Sequence, residues 1–309
     1  MTLYTSLPSA PLPPSAVALG CFDGVHLGHR AVIAKAVAQA HDQGLLSVVF
    51  TFDSSPRNYF APSSVPQLTD REKKIELIEA MGVDVLICLP FDKEIATTSA
   101  EDFFKKILVD ALSARQIVCG YNYSFGAKGR GNAELLRKLC DTVGIALTAL
   151  APIAENGTPI SSSAIRAALE QGNVEEANAA LGRAYSIRTT VLDGQHLGRR
   201  LGFPTINQRI DPSLAIPRHG VYFSRATVEG ISLFGITNVG VRPTVGSEFI
   251  GAETHLFDFS GDLYGKEIEV ELLSFLRAER KFDSVEALSQ QVHSDMEIAK
   301  KMASEIKHC

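Results

Sequence analysis

Ala16-Val17-Ala18-Leu19-Gly20-Cys21-Phe22-Asp23-Gly24-Val25-His26-Leu27-Gly28-His29 decides how the first half of this chain folds. Its first four residues are an apolar run of buried-strand type, and the following Ala31-Val32-Ile33-Ala34-Lys35-Ala36-Val37-Ala38 reads as a helix with an apolar stripe, closed by Gly44. The junction between them carries the glycines Gly20, Gly24 and Gly28 and the imidazoles of His26 and His29. Glycine lets backbone approach a ligand closely, and the free N–H groups of a helix start attract phosphate. His26 and His29, three apart in the first helical turn, would face one anion. A metal pair is the competing reading, although metal-ligating histidines on a helix are more typically four apart with further ligands nearby.

Outward from this junction, strand-like runs at Leu45–Phe52, Val83–Leu89, Gln116–Cys119 and Ile145–Leu150 alternate with amphipathic helical stretches. Such alternation predicts a parallel sheet with helices on both faces, and in that architecture ligands gather at the carboxyl ends of the strands, where the motif falls. Thr69 with Glu72 and Ser99 with Asp102 have the spacing of helix-capping boxes. After about residue 184 the pattern changes to short alternating segments, among them Ser186–Leu192, Val221–Val228, Leu233–Asn238 and Glu267–Phe275, separated by turns rich in Gly, Pro and Asp. These predict an antiparallel barrel or sandwich, and one long helical pattern from about Ser284 to Lys307 closes the chain. With 309 residues there is room for two domains, expected at 1–183 and 184–309. The prolines between Pro8 and Pro14 predict that the extreme amino terminus is an extended lead-in without a folded element.

A net charge of -5 with basic residues spread along the chain gives no electrostatic footprint for nucleic acid. No stretch approaches the roughly 20 apolar residues of a membrane span, and the amino terminus lacks a basic region followed by an apolar one, so a cytoplasmic location is expected. The cysteines Cys21, Cys88, Cys119, Cys140 and Cys309 are odd in number and widely spaced, which fits neither a zinc site nor a disulfide framework. Cys21, Cys88 and Cys119 end strand-like runs and are expected to be buried as small hydrophobes. Trp is absent, so any stacking on an aromatic ligand falls to Phe and Tyr.

The segment from Gly20 to His29, with Phe22-Asp23-Gly24 ahead of His26-Leu27-Gly28-His29, resembles the signature of the nucleotidyltransferase superfamily. That resemblance implies transfer of a nucleotidyl group from a nucleoside triphosphate, with His26 and His29 stabilising charge at the α-phosphate and Gly20, Phe22, Asp23, Gly24 and Gly28 in the nucleotide cradle. A second segment, Ile160-Ser161-Ser162-Ser163-Ala164-Ile165-Arg166, sets hydroxyls at a helix start with a guanidinium one turn in; by itself it is either a phosphate site or a serine cap beside a solvated arginine. It is similar to the superfamily's Ser-Ser-Thr-x-Ile-Arg, with Ser163 in the Thr position. The stretch Gly120-Tyr121-Asn122-Tyr123-Ser124-Phe125-Gly126 is similar to a segment of bacterial flavin adenylyltransferases, which implies that Asn122 meets the flavin substrate; the alternative is a turn whose aromatics pack on the sheet. The family commonly has Asp-Pro-His-Pro where this chain has Asp53-Ser54-Ser55-Pro56.

Gly198-Arg199-Arg200-Leu201-Gly202-Phe203-Pro204-Thr205-Ile206-Asn207 closely resembles the riboflavin kinase motif, with Gly198, Gly202 and Pro204 in its nucleotide-binding part. Thr205 and Asn207 are neutral oxygen donors two apart on an extended segment, suited to an Mg2+ that carries ATP phosphates and keeps its waters. Asn238-Val239-Gly240-Val241-Arg242-Pro243-Thr244, Leu263-Tyr264-Gly265 and Arg277-Ala278-Glu279-Arg280 extend the similarity, which implies Glu253 as general base and Arg277 as a ligand-binding residue; apart from the resemblance, Glu253 could be an exposed strand carboxylate. Taken together, the chain resembles the bifunctional bacterial riboflavin kinases and FAD synthetases. The resemblance implies an α/β plus β architecture: a Rossmann-like nucleotidyltransferase domain with a parallel sheet, then an antiparallel β-barrel kinase domain with a terminal helix. It implies ATP as co-substrate, Mg2+, and riboflavin, FMN and FAD as substrates and products. The expected partners are these small molecules, with no nucleic acid and no membrane; weak self-association is compatible with the sequence, which leaves the oligomeric state open. The rival readings are a monofunctional riboflavin kinase with a degenerate first domain, and a flavin-binding regulatory protein without turnover.

Overall fold

The computed structural model describes residues 1–61, 65–155, 157–192, 205–244 and 247–307. The chain divides into two compact units, Met1–Ser162 and Ser163–Cys309.

The first unit is built on six parallel strands, β1 (Thr2–Tyr4), β2 (Ser15–Leu19), β3 (Leu46–Phe52), β4 (Val85–Leu89), β5 (Ala114–Gly120) and β8 (Ala146–Leu150), in the spatial order β1-β4-β3-β2-β5-β8. Side-chain alternation divides the burial between two faces. Val17, Leu19, Val48, Phe50 and Ile117 point to one face, packing with Phe103, Phe104, Ile107 and Leu108. Ala18, Val49, Leu86 and Val118 point to the other, under Val32, Ile33 and Ala36 of α1 (Leu27–Gln43) and Ile78 of α3 (Arg71–Glu79). The helices on both faces explain why these strands read as continuous apolar runs.

Gly44 ends α1 in the left-handed conformation (φ 62°), with its N–H bonded to the carbonyls of Ala40 and His41. Ser99 caps the helix at Ala100–Asp102, accepting from the Asp102 N–H at 2.9 Å, and the chain continues in π-helical turns over Phe103–Ala111. Two expectations need correction. The cap of α3 is Asp70, whose carboxylate accepts from the Lys73 N–H at 2.6 Å, and the helix starts one residue later than the Thr69 spacing implied. Thr2–Tyr4 does form an element, because an edge strand pairing parallel to β4 needs only backbone groups and no apolar pattern of its own.

In the second unit β11 (Tyr185–Leu192), β12 (Ile206–Arg209), β13 (Gly220–Val228), β14 (Ile231–Thr244), β15 (Ser247–Leu256) and β16 (Glu267–Ala278) close an antiparallel barrel in the order β11-β12-β15-β14-β13-β16. Closure removes the exposed edges that an open sheet would leave. Val191, Ala226, Leu256, Ile268 and Val270 fill one cluster of the barrel core, next to a chain of buried hydroxyls in which Thr237 lies 2.8 Å from both Ser224 and Thr254. On the outer face Val221, Phe223, Ile236 and Phe257 are covered by Ala299 and Ala303 of the terminal helix, Val285–Lys307. The helices α7 (Ser162–Gln171) and α8 (Val174–Leu181) precede the barrel, and the Asn178 side chain ties α8 to it by donating to the Leu272 carbonyl (2.8 Å) and accepting from the Tyr185 N–H (2.6 Å). Cys88 and Cys119 are buried, as expected of small hydrophobes, and Cys140 is buried as well; the expectation fails for Cys21, which is exposed because the strand ends at Leu19 and Cys21 lies beyond it.

Candidate active sites

At the carboxyl end of β2 the chain makes a tight turn in which Phe22 (φ 49°), Gly24 (φ 82°) and Val25 (φ 40°) all take positive φ. For Phe and Val that conformation costs on the order of 1 kcal/mol each, a cost met where surrounding structure fixes the backbone. His26 is then the N-cap of α1: its Nδ1 accepts the His29 N–H at 3.3 Å. An accepting Nδ1 leaves the proton of the neutral ring on Nε2. The two imidazoles stack with centroids 3.6 Å apart and planes at 17°, and the Phe22 ring meets His29 edge-on at 5.4 Å. The stack explains Gly28, since a Cβ there would lie 3.1 Å from His26 Cε1 and 3.2 Å from its Nδ1. Burial, then His26, then Lys74 hold the His29 imidazole well below the usual histidine range, so the ring is neutral at physiological pH. Its Nδ1 is buried and bonded to no protein group among the described residues.

Asp23 is buried, and its Oδ1 accepts the Leu68 N–H at 2.8 Å, which pins the turn to the segment entering α3. The Asp23 carbonyl accepts the Ser162 hydroxyl at 2.9 Å. Ser162 is thus bonded to the motif's backbone; Ser161 stands just before α7, Ser163 is exposed in its first turn, and Arg166 is half-buried on the same helix. Lys74 was not expected from the sequence. Only 2% exposed, its ammonium donates to the carbonyls of Phe52 (2.9 Å) and Cys21 (3.4 Å), placing a buried cation beneath the motif. The signal was present: Lys74 lies four residues before Ile78, on the buried side of α3.

Ser55, in the position where the family commonly has histidine, accepts the Arg57 N–H at 3.4 Å and caps the short helix α2 (Pro56–Phe60). Just beyond β3 and β4, Phe52, Phe91, Tyr59 and Phe60 form a chain of ring contacts 5.0–6.3 Å between centroids, with Phe60 64% exposed. In the segment after β5, Phe125 is buried and Tyr123 stacks on it at 5.8 Å, which fits aromatics that pack on the sheet; Asn122 and Tyr121 are exposed.

In the barrel, strand register sets Asn207, Glu253 and Asn238 abreast on β12, β15 and β14. Arg242, four residues along β14, donates from Nη2 to the Asn238 carbonyl at 3.1 Å and lies 3.6 Å from Glu253 Oε2. Thr205 and Asn207 border a cavity of about 410 Å³ together with Thr254, Phe259, Asp262 and Tyr264. No cluster of three His, Cys, Asp or Glu side chains able to hold a metal exists among the described residues, so a cation here would depend on neutral donors and on its ligand's own oxygens. Arg277 makes a forked ion pair with Asp295 of the terminal helix, with Nε 3.0 Å and Nη2 2.8 Å from Oδ2. Asp295 is only 2% exposed, so most of the Arg277 donors serve to dock that helix. Gly198, Gly202 and Pro204 lie outside the described residues.

Residues 9–164 match the family model for FAD synthetase, and residues 181–303 match that for riboflavin kinase. Curated proteins named bifunctional riboflavin kinase/FMN adenylyltransferase are similar along nearly the whole chain. That of Bacillus subtilis is 35% identical over 95% of this chain and 94% of its own length. That of Pseudomonas fluorescens is 34% identical over 94% and 93%. The chain belongs to the bifunctional riboflavin kinase/FMN adenylyltransferase family. The His26–His29 stack falls in the half matching the FAD synthetase, and the Asn207–Glu253–Asn238 row in the half matching the kinase. A solved structure described as a macrolide-efflux protein from Streptococcus pneumoniae is 30% identical, covers 96% of this chain and 98% of its own, and superposes with a TM-score of 0.87. Among the described residues of the present chain, no helix is long and apolar enough to cross a membrane.

Proposed function

We infer that the chain makes FMN and FAD in sequence: residues 184–309 transfer the γ-phosphoryl of ATP to riboflavin, and residues 1–183 transfer the adenylyl group of a second ATP to FMN with release of pyrophosphate. The observation that carries the reading is the barrel register, which sets Glu253 directly between Asn207 and Asn238. A carboxylate so flanked and part-exposed is suited to take the proton of the ribityl 5'-hydroxyl as it attacks the γ-phosphate. Mg2+ bound with ATP would be held by Thr205 and Asn207, and would supply neutralisation of phosphate charge. Gly198, Gly202 and Pro204 are assigned to the ATP phosphates through the family motif.

In the second reaction the FMN phosphate is already anionic and needs no base. The requirement is stabilisation of charge on the α-phosphate oxygens, and the stacked His26 and His29 rings together with the N–H donors at the start of α1 fit it. Gly20, Phe22, Asp23, Gly24 and Gly28 shape this cradle, and Ser161, Ser162, Ser163 and Arg166 are assigned to the nucleotide phosphates. Asn122 is assigned to the flavin, with Phe52, Tyr59, Phe60 and Phe91 as the apolar surface beside it. We assign Arg277 to holding the terminal helix beside the flavin. Incubation of the purified protein with riboflavin, ATP and Mg2+, followed by chromatographic separation, tests the whole scheme. FAD supports both sites, FMN alone favours a monofunctional kinase, and unchanged riboflavin favours a binding protein.

A further inference from the structure

Beneath the His26–His29 turn the structure holds a cation that the reaction scheme leaves unused. Lys74, on α3, is 2% exposed, yet no carboxylate pairs with it among the described residues. Its Nζ donates to the carbonyls of Phe52, the last residue of β3, at 2.9 Å and of Cys21, two residues beyond β2, at 3.4 Å. A buried lysine is almost always paired, because an ammonium removed from water is costly without a counter-charge. Thr51, fully buried, donates its hydroxyl to the same Cys21 carbonyl at 2.9 Å. That carbonyl belongs to the peptide that enters Phe22, the first positive-φ residue of the turn (φ 49°), and the Phe22 ring meets His29 edge-on. One ammonium thus helps to fix the backbone on which the imidazole stack is built.

Two groups at this turn lack a protein partner suited to them. Lys74 carries a charge without a carboxylate, and Nδ1 of His29 is buried and bonded to no protein group among the described residues. Lys74 follows burial and His26 among the causes that hold the His29 imidazole well below the usual histidine range. The motif's own buried carboxylate, Asp23, accepts the Leu68 N–H. Backbone carbonyls at the carboxyl ends of parallel strands set partial negative charge on the side where ligands gather, and an ammonium bonded to two of them offsets it for an incoming anion. We propose that Lys74 is a positioning residue of adenylyl transfer, which holds the Cys21 and Phe52 carbonyls at the turn and supplies a positive charge that the phosphates of bound ATP balance. The proposal rests on the reading of the His26–His29 turn as the adenylyl-transfer site. Lys74 acts through the Cys21 carbonyl and, at a distance, through its field.

The test is FAD formation from supplied FMN, ATP and Mg2+ by the full chain, with kcat and the KM for ATP measured separately. FMN formation from riboflavin is the control in the other unit. Lys74→Met removes charge and donors at similar size, whereas Lys74→Gln keeps an N–H donor without the charge. Both are expected to raise the KM for ATP about tenfold or more, a modest figure for one unit charge at short range, with kcat falling further in Lys74→Met. A merely structural role would reduce the folded fraction, which scales kcat and leaves KM in place. Lys74→Arg restores the charge and should return the KM to within about threefold of wild type. Circular dichroism and the FMN control identify the variants that fold, and where Lys74→Met does not, Lys74→Gln carries the same comparison. A KM for ATP unchanged in folded Lys74→Gln, or still raised tenfold in folded Lys74→Arg, overturns the proposal. His29→Ala separates this from the reading beneath it: FAD formation retained there means that the turn is not the adenylyl-transfer site. FAD formation lost there, with the KM for ATP constant across the Lys74 variants, means that the proposal for Lys74 alone fails.

Discussion

Replacing His29 by Ala removes one of two stacked imidazoles from the start of α1 without touching the backbone N–H that His26 caps. Its ring meets Phe22 edge-on, has a buried Nδ1 and is held neutral. If the ring donates to the developing α-phosphate charge, its loss should lower FAD formation about 10²- to 10³-fold, or ~2.7–4 kcal/mol, the scale of one lost oxyanion donor. FMN formation, in the other unit, should keep its rate. Following riboflavin, FMN and FAD by chromatography from one incubation reads both steps together. A second arm uses stability. A histidine whose folded pKa lies below its unfolded one contributes stability that is fully present above the unfolded pKa, near 6.5, and is lost as pH falls toward the folded value. Across that window wild-type unfolding should lose up to about 1.4 kcal/mol per pH unit relative to His29→Ala. A fall in FAD formation under fivefold, or an equal fall in FMN formation, would sink the assignment of His29, and parallel stability curves would sink the neutral imidazole.

Gly28→Ala should push the His26 ring by a few tenths of an ångström, strain of about 1–3 kcal/mol, and lower FAD formation roughly tenfold while FMN formation holds; an unchanged rate means the stack tolerates displacement. Asp23→Ala leaves the Leu68 N–H without its acceptor in a buried place, which costs about 1–3 kcal/mol. For a unit of this size that corresponds to a melting-point drop of about 3–10 °C, seen by differential scanning calorimetry, and no shift would mean that the N–H finds water.

The first unit was legible from periodicity because each strand is short, apolar and followed by a helix, so local pattern and global fold agree. β1 was not legible, as an edge strand contributes backbone bonds and little burial. The cap at Asp70 was read one residue early because Thr and Asp are both good caps and only the chain's entry angle chooses between them. In the barrel, alternation left sandwich and barrel equally open; closure depends on β16 returning to β11, a pairing of distant segments.

The sequence by itself determined on which local elements the candidate residues stand: the histidines at a strand-to-helix turn, the serine run at a helix start, and Thr205, Asn207 and Glu253 on extended segments. Their placement follows from residue type and local spacing, whereas the roles proposed for them, that of Glu253 above all, come from the resemblance of the motifs. Only the tertiary structure decided that Glu253 lies between Asn207 and Asn238, with Arg242 Nη2 3.6 Å from its Oε2. It alone also decided that Lys74 is a buried cation under the motif, that Arg277 is bound to Asp295, and that His29 is neutral. Strand register, burial and charge pairing are set by segments far apart in the chain, and a local pattern holds no record of them.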